Sequence, residues 1–222
     1  MTNLARRLTT YKHIIWDWNG TLIDDVDLAV KSIGRVLEEF GLAPITRERY
    51  REIFGFPISK YYLSLGFDLK EHSLDKLSAI FHQHYNHLLV GHSRLFSDVE
   101  DSLRELKGQS KQSILSAGAQ WHLDEWVRLF EVSHYFDHVF GIDNHNATSK
   151  LQRGRELIAV SGVPVEQTIL VGDTDHDLEV GRELGVEVLL VANGHQTFQR
   201  LSAAHSQVVE CRFNSAQRSQ SS

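Results

Sequence analysis

The stretch HIIWDWNGTLIDD, residues 13–25, decides the fold. A short apolar run, His13 to Trp16, breaks off at Asp17, and Asn19, Gly20 and Thr21 follow before two more aspartates. Apolar runs of this length without clean alternation are the pattern of strands covered on both faces. Four others match it: QSILSAG (112–118), HVFGID (138–143), TILVGD (168–173) and VEVLLVANG (186–194). Between the later runs lie helical patterns, WHLDEWVRLFEV (121–132), SKLQRGRELIAVSG (149–162) and HDLEVGRELG (176–185). The last two end on Gly162 and Gly185, where a helix C-cap is expected. Strand–helix alternation of this kind predicts an α/β fold, a doubly wound parallel sheet.

The rhythm fails once. From about residue 25 to 95 no buried strand is expected, only helical periodicity over 27–41, 46–55, 58–66 and 73–91. That is too long for a loop in a compact domain. The expected organisation is therefore a core from residues 1–24 and 96–205, a helical cap inserted as 25–95, and a polar, flexible tail at 206–222.

Bulk properties narrow the function. A net charge of −6 over 222 residues argues against nucleic acid or an anionic membrane as partner. The single cysteine, Cys211, excludes an internal disulfide and a multi-cysteine zinc site. No apolar run reaches the length of a signal peptide core or a membrane span, so a soluble cytoplasmic protein is the expectation.

In open parallel sheets, ligands sit beyond the carboxyl ends of the strands. The polar residues expected there are Asp17, Asn19 and Thr21, then Ser116, then Asp173 with Asp175 and Asp177, while Lys150 opens the helix before Asp173. Asp17 and Asp173 together suit Mg²⁺, which takes one or two carboxylates and a phosphate oxygen. Thr21 and Ser116 offer hydroxyls, Gly20 a close approach for backbone N–H groups, and Lys150 a positive charge. Such a set receives a tetrahedral anion, with a carboxylate aimed at its centre.

These residues resemble the haloacid dehalogenase superfamily, in its branch with a helical cap and phosphoglycolate phosphatase-like members. The family's Asp-x-Asp-x-Thr motif corresponds to DWNGT (17–21), its strand-end hydroxyl to Ser116 in ILSAG, its lysine to Lys150, and its acidic motif to GDTDHD (172–177). The resemblance spans about residues 12 to 195. It implies a Mg²⁺-dependent phosphatase acting on a small phosphorylated metabolite, with Asp17 forming an aspartyl phosphate. It further implies metal ligation by Asp17, the Asn19 carbonyl, Asp173 and Asp177, and phosphate binding by Gly20, Thr21, Ser116, Ala117 and Lys150.

One departure matters. The family's phosphatases carry an aspartate at position 19, where it trades protons with the leaving alcohol and the attacking water. Asn19 cannot do so at neutral pH, and such help is typically worth ~10²–10⁴ in rate. Three readings stay open. The enzyme is a phosphatase that tolerates the loss, a phosphonoacetaldehyde hydrolase-like C–P cleaving enzyme, or a catalytically weakened phosphate- or partner-binding protein. The C–P cleaving reading needs a cap lysine, for which Lys60 is the candidate. The intact remaining elements favour the first, and Asn19→Asp is then expected to raise the hydrolysis of alkyl phosphates. Phe54, Phe56 and Lys60 are read as a substrate-facing cap loop, or equally as a helix break packed by aromatics. Asp24 and Asp25 are read as helix caps, Asp175 as an exposed turn residue, and the helical histidines His82, His84 and His87 as solvated surface.

Overall fold

The computed structural model describes residues 1–142 and 149–210. In chain order the elements are α1 (Asn3–Leu8), β1 (His13–Trp16), β2 (Ile23–Asp24), α2 (Val26–Glu39), α3 (Arg47–Ile53), α4 (Ile58–Ser64), α5 (Leu74–His92), β3 (Arg94–Leu95) and α6 (Ser97–Leu106). There follow β4 (Lys111–Ala119), α7 (Gln120–Leu129), β5 (His138–Ile142), α8 (Lys150–Ser161), β6 (Thr168–Gly172), α9 (Asp175–Leu184), β7 (Glu187–Val191), α10 (Phe198–Ala204) and β8 (Val208–Val209).

Six strands form one parallel sheet in the order β5-β4-β1-β6-β7-β8. The first apolar run takes its centre because it must be buried on both faces. Ile14 and Trp16 point into the larger core cluster, with Ile114 and Val171. Ile15 points to the opposite face, where it meets Leu115 and Leu170 beneath Leu157 of α8 and Val180 of α9. Each is fully or almost fully buried, worth roughly 1.5–3 kcal/mol per large apolar side chain. Gly162 and Gly185 end α8 and α9 in the left-handed conformation, φ 66° and 73°, as the sequence suggests.

Between β1 and β4 the chain makes α2 to α6 and a two-stranded ribbon in which β2 pairs with β3. Ile23 faces Leu95 and Asp24 faces Arg94, so this pair ties the two ends of the helical segment together. Asp24 therefore lies in a strand and does not cap α2. The helices α2 and α5 pack along each other, joined through Ile33 and Leu37 of the one and Leu77 of the other in a common core. A latch fixes α3 to the end of β7: the Arg51 guanidinium donates to the carbonyls of Ala192, Gly194 and Gln196 at 2.7–2.9 Å.

The sheet extends further than the apolar runs indicate. Val208–Val209 pair with Leu190–Val191, so the expected tail contributes an edge strand. Residues 211–222 of that tail lie outside the described residues. No helix among the described residues is long and apolar enough to cross a membrane.

Candidate active site

Three strand ends and one helix start converge. Asp17 follows β1, Ser116 lies near the end of β4, Asp173 follows β6, and Lys150 opens α8. Asp17 is held in line by its backbone, whose N–H donates to the Val171 carbonyl at 2.8 Å. Oxygens of Asp17, Asp173 and Asp177 lie within 4.8 Å of one another, and all three residues are buried.

Each carboxylate has a defined partner. The Lys150 ammonium, itself buried, donates to Asp17 Oδ1 and to Asp177 Oδ1, the latter at 2.6 Å. Asp177 forms a capping box with Thr174. Its Oδ2 accepts from the Thr174 backbone N–H at 3.0 Å and from the Thr174 hydroxyl at 2.6 Å, which fixes the start of α9. Asp177 thus orients Lys150 as much as it faces the acidic cluster. Asp173 accepts from the Thr21 hydroxyl at 3.3 Å and from the His195 backbone N–H at 2.5 Å.

Glycines let these groups come so close. A Cβ on Gly20, whose φ is +73°, would stand 2.3 Å from Asp173 Oδ2. One on Gly194 would stand 2.0 Å from the same oxygen and 2.4 Å from the Gly20 carbonyl. Burial pushes the Asp17 carboxyl up against the pull of Lys150, and burial together with the neighbouring carboxylates does the same to Asp173.

The sequence reading missed a second layer. Asp25 occupies the N-cap position of α2 but makes no side-chain cap bond. Its carboxylate turns back and accepts from the Gly20 N–H at 2.8 Å, the Asn19 amide at 2.9 Å and the Tyr85 hydroxyl at 2.6 Å. His195 Nε2 stands 3.3 Å from the other side of Asp25, and its Nδ1 shares a hydrogen with the Tyr50 hydroxyl at 2.9 Å. Burial opposes the imidazolium, but Asp25, Asp173 and Asp17 outweigh it and push His195 up to about 9. Burial likewise raises Asp25, and the His195 charge and the hydrogen bonds overcome it and hold it low.

Two expectations change in consequence. The Gly20 N–H is committed to Asp25 and to the Ile23 carbonyl, so it is not free to bind phosphate. Thr21 spends its hydroxyl on Asp173 and does not line the cavity, whereas Ser116, Ala117 and Lys150 do. Asn19 also lines it, and its amide donates both to Asp25 and, at 2.8 Å, to the Tyr85 hydroxyl.

The cavity of about 320 Å³ runs from this cluster under the helical segment. Phe54 and Phe56 line it, with Phe56 stacked on His176 at 4.5 Å. Lys60 is exposed and stands outside the lining. Asp175 is no free turn residue. It pairs with Arg200 at 2.7 Å and with the Gln196 amide at 2.8 Å, and Arg200 and Gln196 both reach the Phe54 carbonyl. His84 is bound to Glu39 at 2.7 Å, while His82 faces the cavity.

This arrangement of strand-end carboxylates, lysine and covering helices defines a class. The family described as Haloacid dehalogenase-like hydrolase matches residues 14–191, and the chain belongs to it. A phosphoglycolate phosphatase of Aquifex aeolicus is 23% identical over 184 residues, covering 82% of this chain and 85% of that protein. Pyrophosphatase PpaX of Anoxybacillus flavithermus is 24% identical, covering 81% and 82%. A solved haloacid dehalogenase-like hydrolase of Streptococcus pneumoniae superposes with a TM-score of 0.80 at 20% identity, covering 92% and 95% of the two chains.

Proposed function

We propose that the protein is a Mg²⁺-dependent phosphatase that hydrolyses a small phosphorylated metabolite through an aspartyl phosphate on Asp17. The observation that carries this reading is the buried Asp17 at the tip of β1, bonded to Lys150 and sharing one small volume with Asp173 and Asp177. The named activities of the relatives, a phosphoglycolate phosphatase and a pyrophosphatase, support the reaction class.

The residues fit a divalent cation. Asp17, Asp173, Asp177 and Asp25 are four buried carboxylates, and among the described residues Lys150 and a protonated His195 are the buried cations paired with them. Two negative charges are left over, which a divalent ion balances. Asp17, the Asn19 carbonyl and Asp173 would hold it, with Asp177 in support through its hold on Lys150. Bound there, the ion withdraws charge from the phosphoryl group and keeps both Asp17 and Asp173 ionised.

The chain's own residues supply the rest. Lys150 fixes the Asp17 carboxylate and shields it from an incoming anion. Asp17 forms a bond to phosphorus as the bond from phosphorus to the alcohol oxygen breaks, and the departing alkoxide takes its proton from solvent water because Asn19 has none to give. Water then attacks phosphorus, the bond to Asp17 breaks, and phosphate leaves. Ser116, with its hydroxyl accepting from the Gly118 N–H at 3.0 Å, presents its own hydrogen toward the phosphoryl oxygens, and Ala117 lines the same wall. Asn19 holds the substrate side of the site in shape without moving a proton. The C–P cleaving alternative loses its one candidate lysine, because Lys60 stands outside the cavity.

Hydrolysis of p-nitrophenyl phosphate tests the proposal. Turnover is expected to need Mg²⁺ and to vanish in Asp17→Asn. Turnover that survives that substitution, or none in the unaltered protein, overturns it.

A further inference from the structure

We infer that the alcohol portion of the substrate is an aromatic group without a second negative charge. The inference rests on the phosphatase reading and adds the substrate class.

Beyond the acidic cluster the cavity wall is aromatic. Tyr50, Phe54 and Tyr61 line it from α3, α4 and the turn between them, Phe81 and Tyr85 from α5, and Trp126 from α7. The rings order one another. Tyr50 and Phe54 stack at 5.1 Å with 20° between planes, and Tyr61 meets Phe54 edge-on at 5.2 Å. Phe81 stacks on Tyr85 at 5.7 Å with 28° between planes, and Tyr85 leans on Trp126 at 5.9 Å. Preformed ring walls favour a flat apolar guest through offset-stacked and edge contacts. At about 320 Å³ the space exceeds what a phosphoryl group alone fills and lies at the small end of ligand pockets, roughly 300–1,000 Å³.

The charges exclude a second anion. Among the described residues no arginine lines the cavity. Lys150 is held by two carboxylates and His195 is bound to Asp25. Burial pushes His82 down, so it is neutral. His176 also lines the cavity, but it stacks on Phe56 and its Nδ1 stands 3.6 Å from Glu179. A substrate carboxylate or second phosphoryl group would therefore be desolvated beside Asp17 and Asp25 with no unengaged cation among the described lining residues.

One polar atom points to a further feature of the guest. The Tyr61 hydroxyl is buried without a hydrogen-bond partner, in a residue that lines the cavity. Burial keeps it protonated, so it is a donor in want of an acceptor. A ring nitrogen or carbonyl on the aromatic group supplies one.

The test compares esters whose alcohols leave equally well, so that ring recognition is separated from leaving-group chemistry. With Mg²⁺ present, kcat/KM for 2-phenylethyl phosphate is expected to exceed that for ethyl phosphate on the order of 10- to 100-fold, the factor that burying a phenyl ring supplies. It is also expected to exceed the value for phosphoglycolate, an alkyl ester with a second anionic group. Equal values for the two esters, or faster turnover of phosphoglycolate, overturns the inference while leaving the phosphatase reading in place. Calorimetry with 2-phenylethylphosphonate and ethylphosphonate covers the case in which no ester is cleaved. At least tenfold tighter binding of the phenyl compound then supports the aromatic site and removes the phosphatase reading, and equal binding removes the inference as well. Phe81→Ala is expected to shrink the phenyl-to-ethyl ratio at least fivefold in whichever assay reports, and Phe81→Leu to shrink it less. A ratio unchanged in both variants overturns the assignment.

Discussion

Asn19→Asp would restore the residue pattern of the family's phosphatases, and the contact it disturbs gives that change a stability cost that rises with pH. The Asn19 amide nitrogen is 2.9 Å from Asp25 Oδ2. An aspartate there replaces a donor with an acceptor, and two carboxylates face each other. With an effective dielectric near 20, two full charges about 3 Å apart repel by roughly 5–6 kcal/mol. The pair escapes by taking up a proton, which at pH 7 costs about 4 kcal/mol for a carboxyl with an ordinary value near 3.9. The smaller penalty governs, and the imidazolium of His195 trims it. The sign follows from linkage: the shared proton raises the folded carboxyl above its unfolded value, so the unfolded chain binds fewer protons and stability falls as pH rises. Relative to the unaltered protein, Asn19→Asp is expected to lose about 1–2 kcal/mol at pH 5 and about 4 kcal/mol at pH 7, growing by ~1.4 kcal/mol per pH unit. Urea unfolding in EDTA at pH 5, 6 and 7 measures this directly. Asn19→Ala, which loses the same hydrogen bonds and adds no charge, serves as the control and should show a deficit independent of pH. A deficit in Asn19→Asp that does not change with pH, or none at pH 7, would refute the placement of the amide between Asp25 and Tyr85.

Three further outcomes follow from the same contacts. Lys150→Met strips the buried Asp17 and Asp177 of their counter-ion, so unfolding in EDTA should become easier by about 3–5 kcal/mol. Mg²⁺ should restore part of that loss, and an unshifted urea midpoint in both conditions contradicts the pairing. His13 is fully buried in β1 against the Ser113 hydroxyl, and burial pushes it down to about 4. Because the unfolded imidazole binds its proton first, the stabilisation is complete above about pH 6.5 and falls by roughly 3 kcal/mol as pH drops toward 4. His13→Gln should flatten that dependence, as urea midpoints at pH 7 and 4.5 would show. Rapid-quench assays with an aryl phosphate, whose leaving group needs no proton, should give a fast first turnover and a slow second, since Asn19 cannot take a proton from the attacking water. Equal rates for the two phases contradict that division.

The fold was readable because two periodicities dominate the chain. Runs such as TILVGD and VEVLLVANG have no polar face, and a strand of that kind has only the interior of a parallel sheet to occupy. The two-residue pairings of β2 with β3 and of β7 with β8 were not readable. Val208–Val209 is too short to show a period, and only the neighbouring edge of β7 gives it a partner. Among site residues, Asp17, Ser116, Lys150 and Asp173 announce themselves by their place at strand ends and helix starts. His195 does so less, because a histidine after NG in a loop has no local mark of burial.

Asp25 shows why the second layer stayed hidden. An aspartate immediately before an apolar helix has a complete local explanation as an N-cap, and local explanations take precedence when sequence is the only guide. The structure overrides it because three donors from two separate parts of the chain converge on that carboxylate: the Gly20 N–H and the Asn19 amide from the turn after β1, and the Tyr85 hydroxyl from α5. With His195 closing the fourth side, Asp25 is worth more inside the site than at the helix end. The same convergence explains the amide. A position whose neighbours are a committed carboxylate and a tyrosine hydroxyl needs two donors, which asparagine has and an ionised aspartate lacks. Asn19 is then the residue this surrounding requires, and the departure from the family pattern and the unexpected burial of Asp25 have one physical cause.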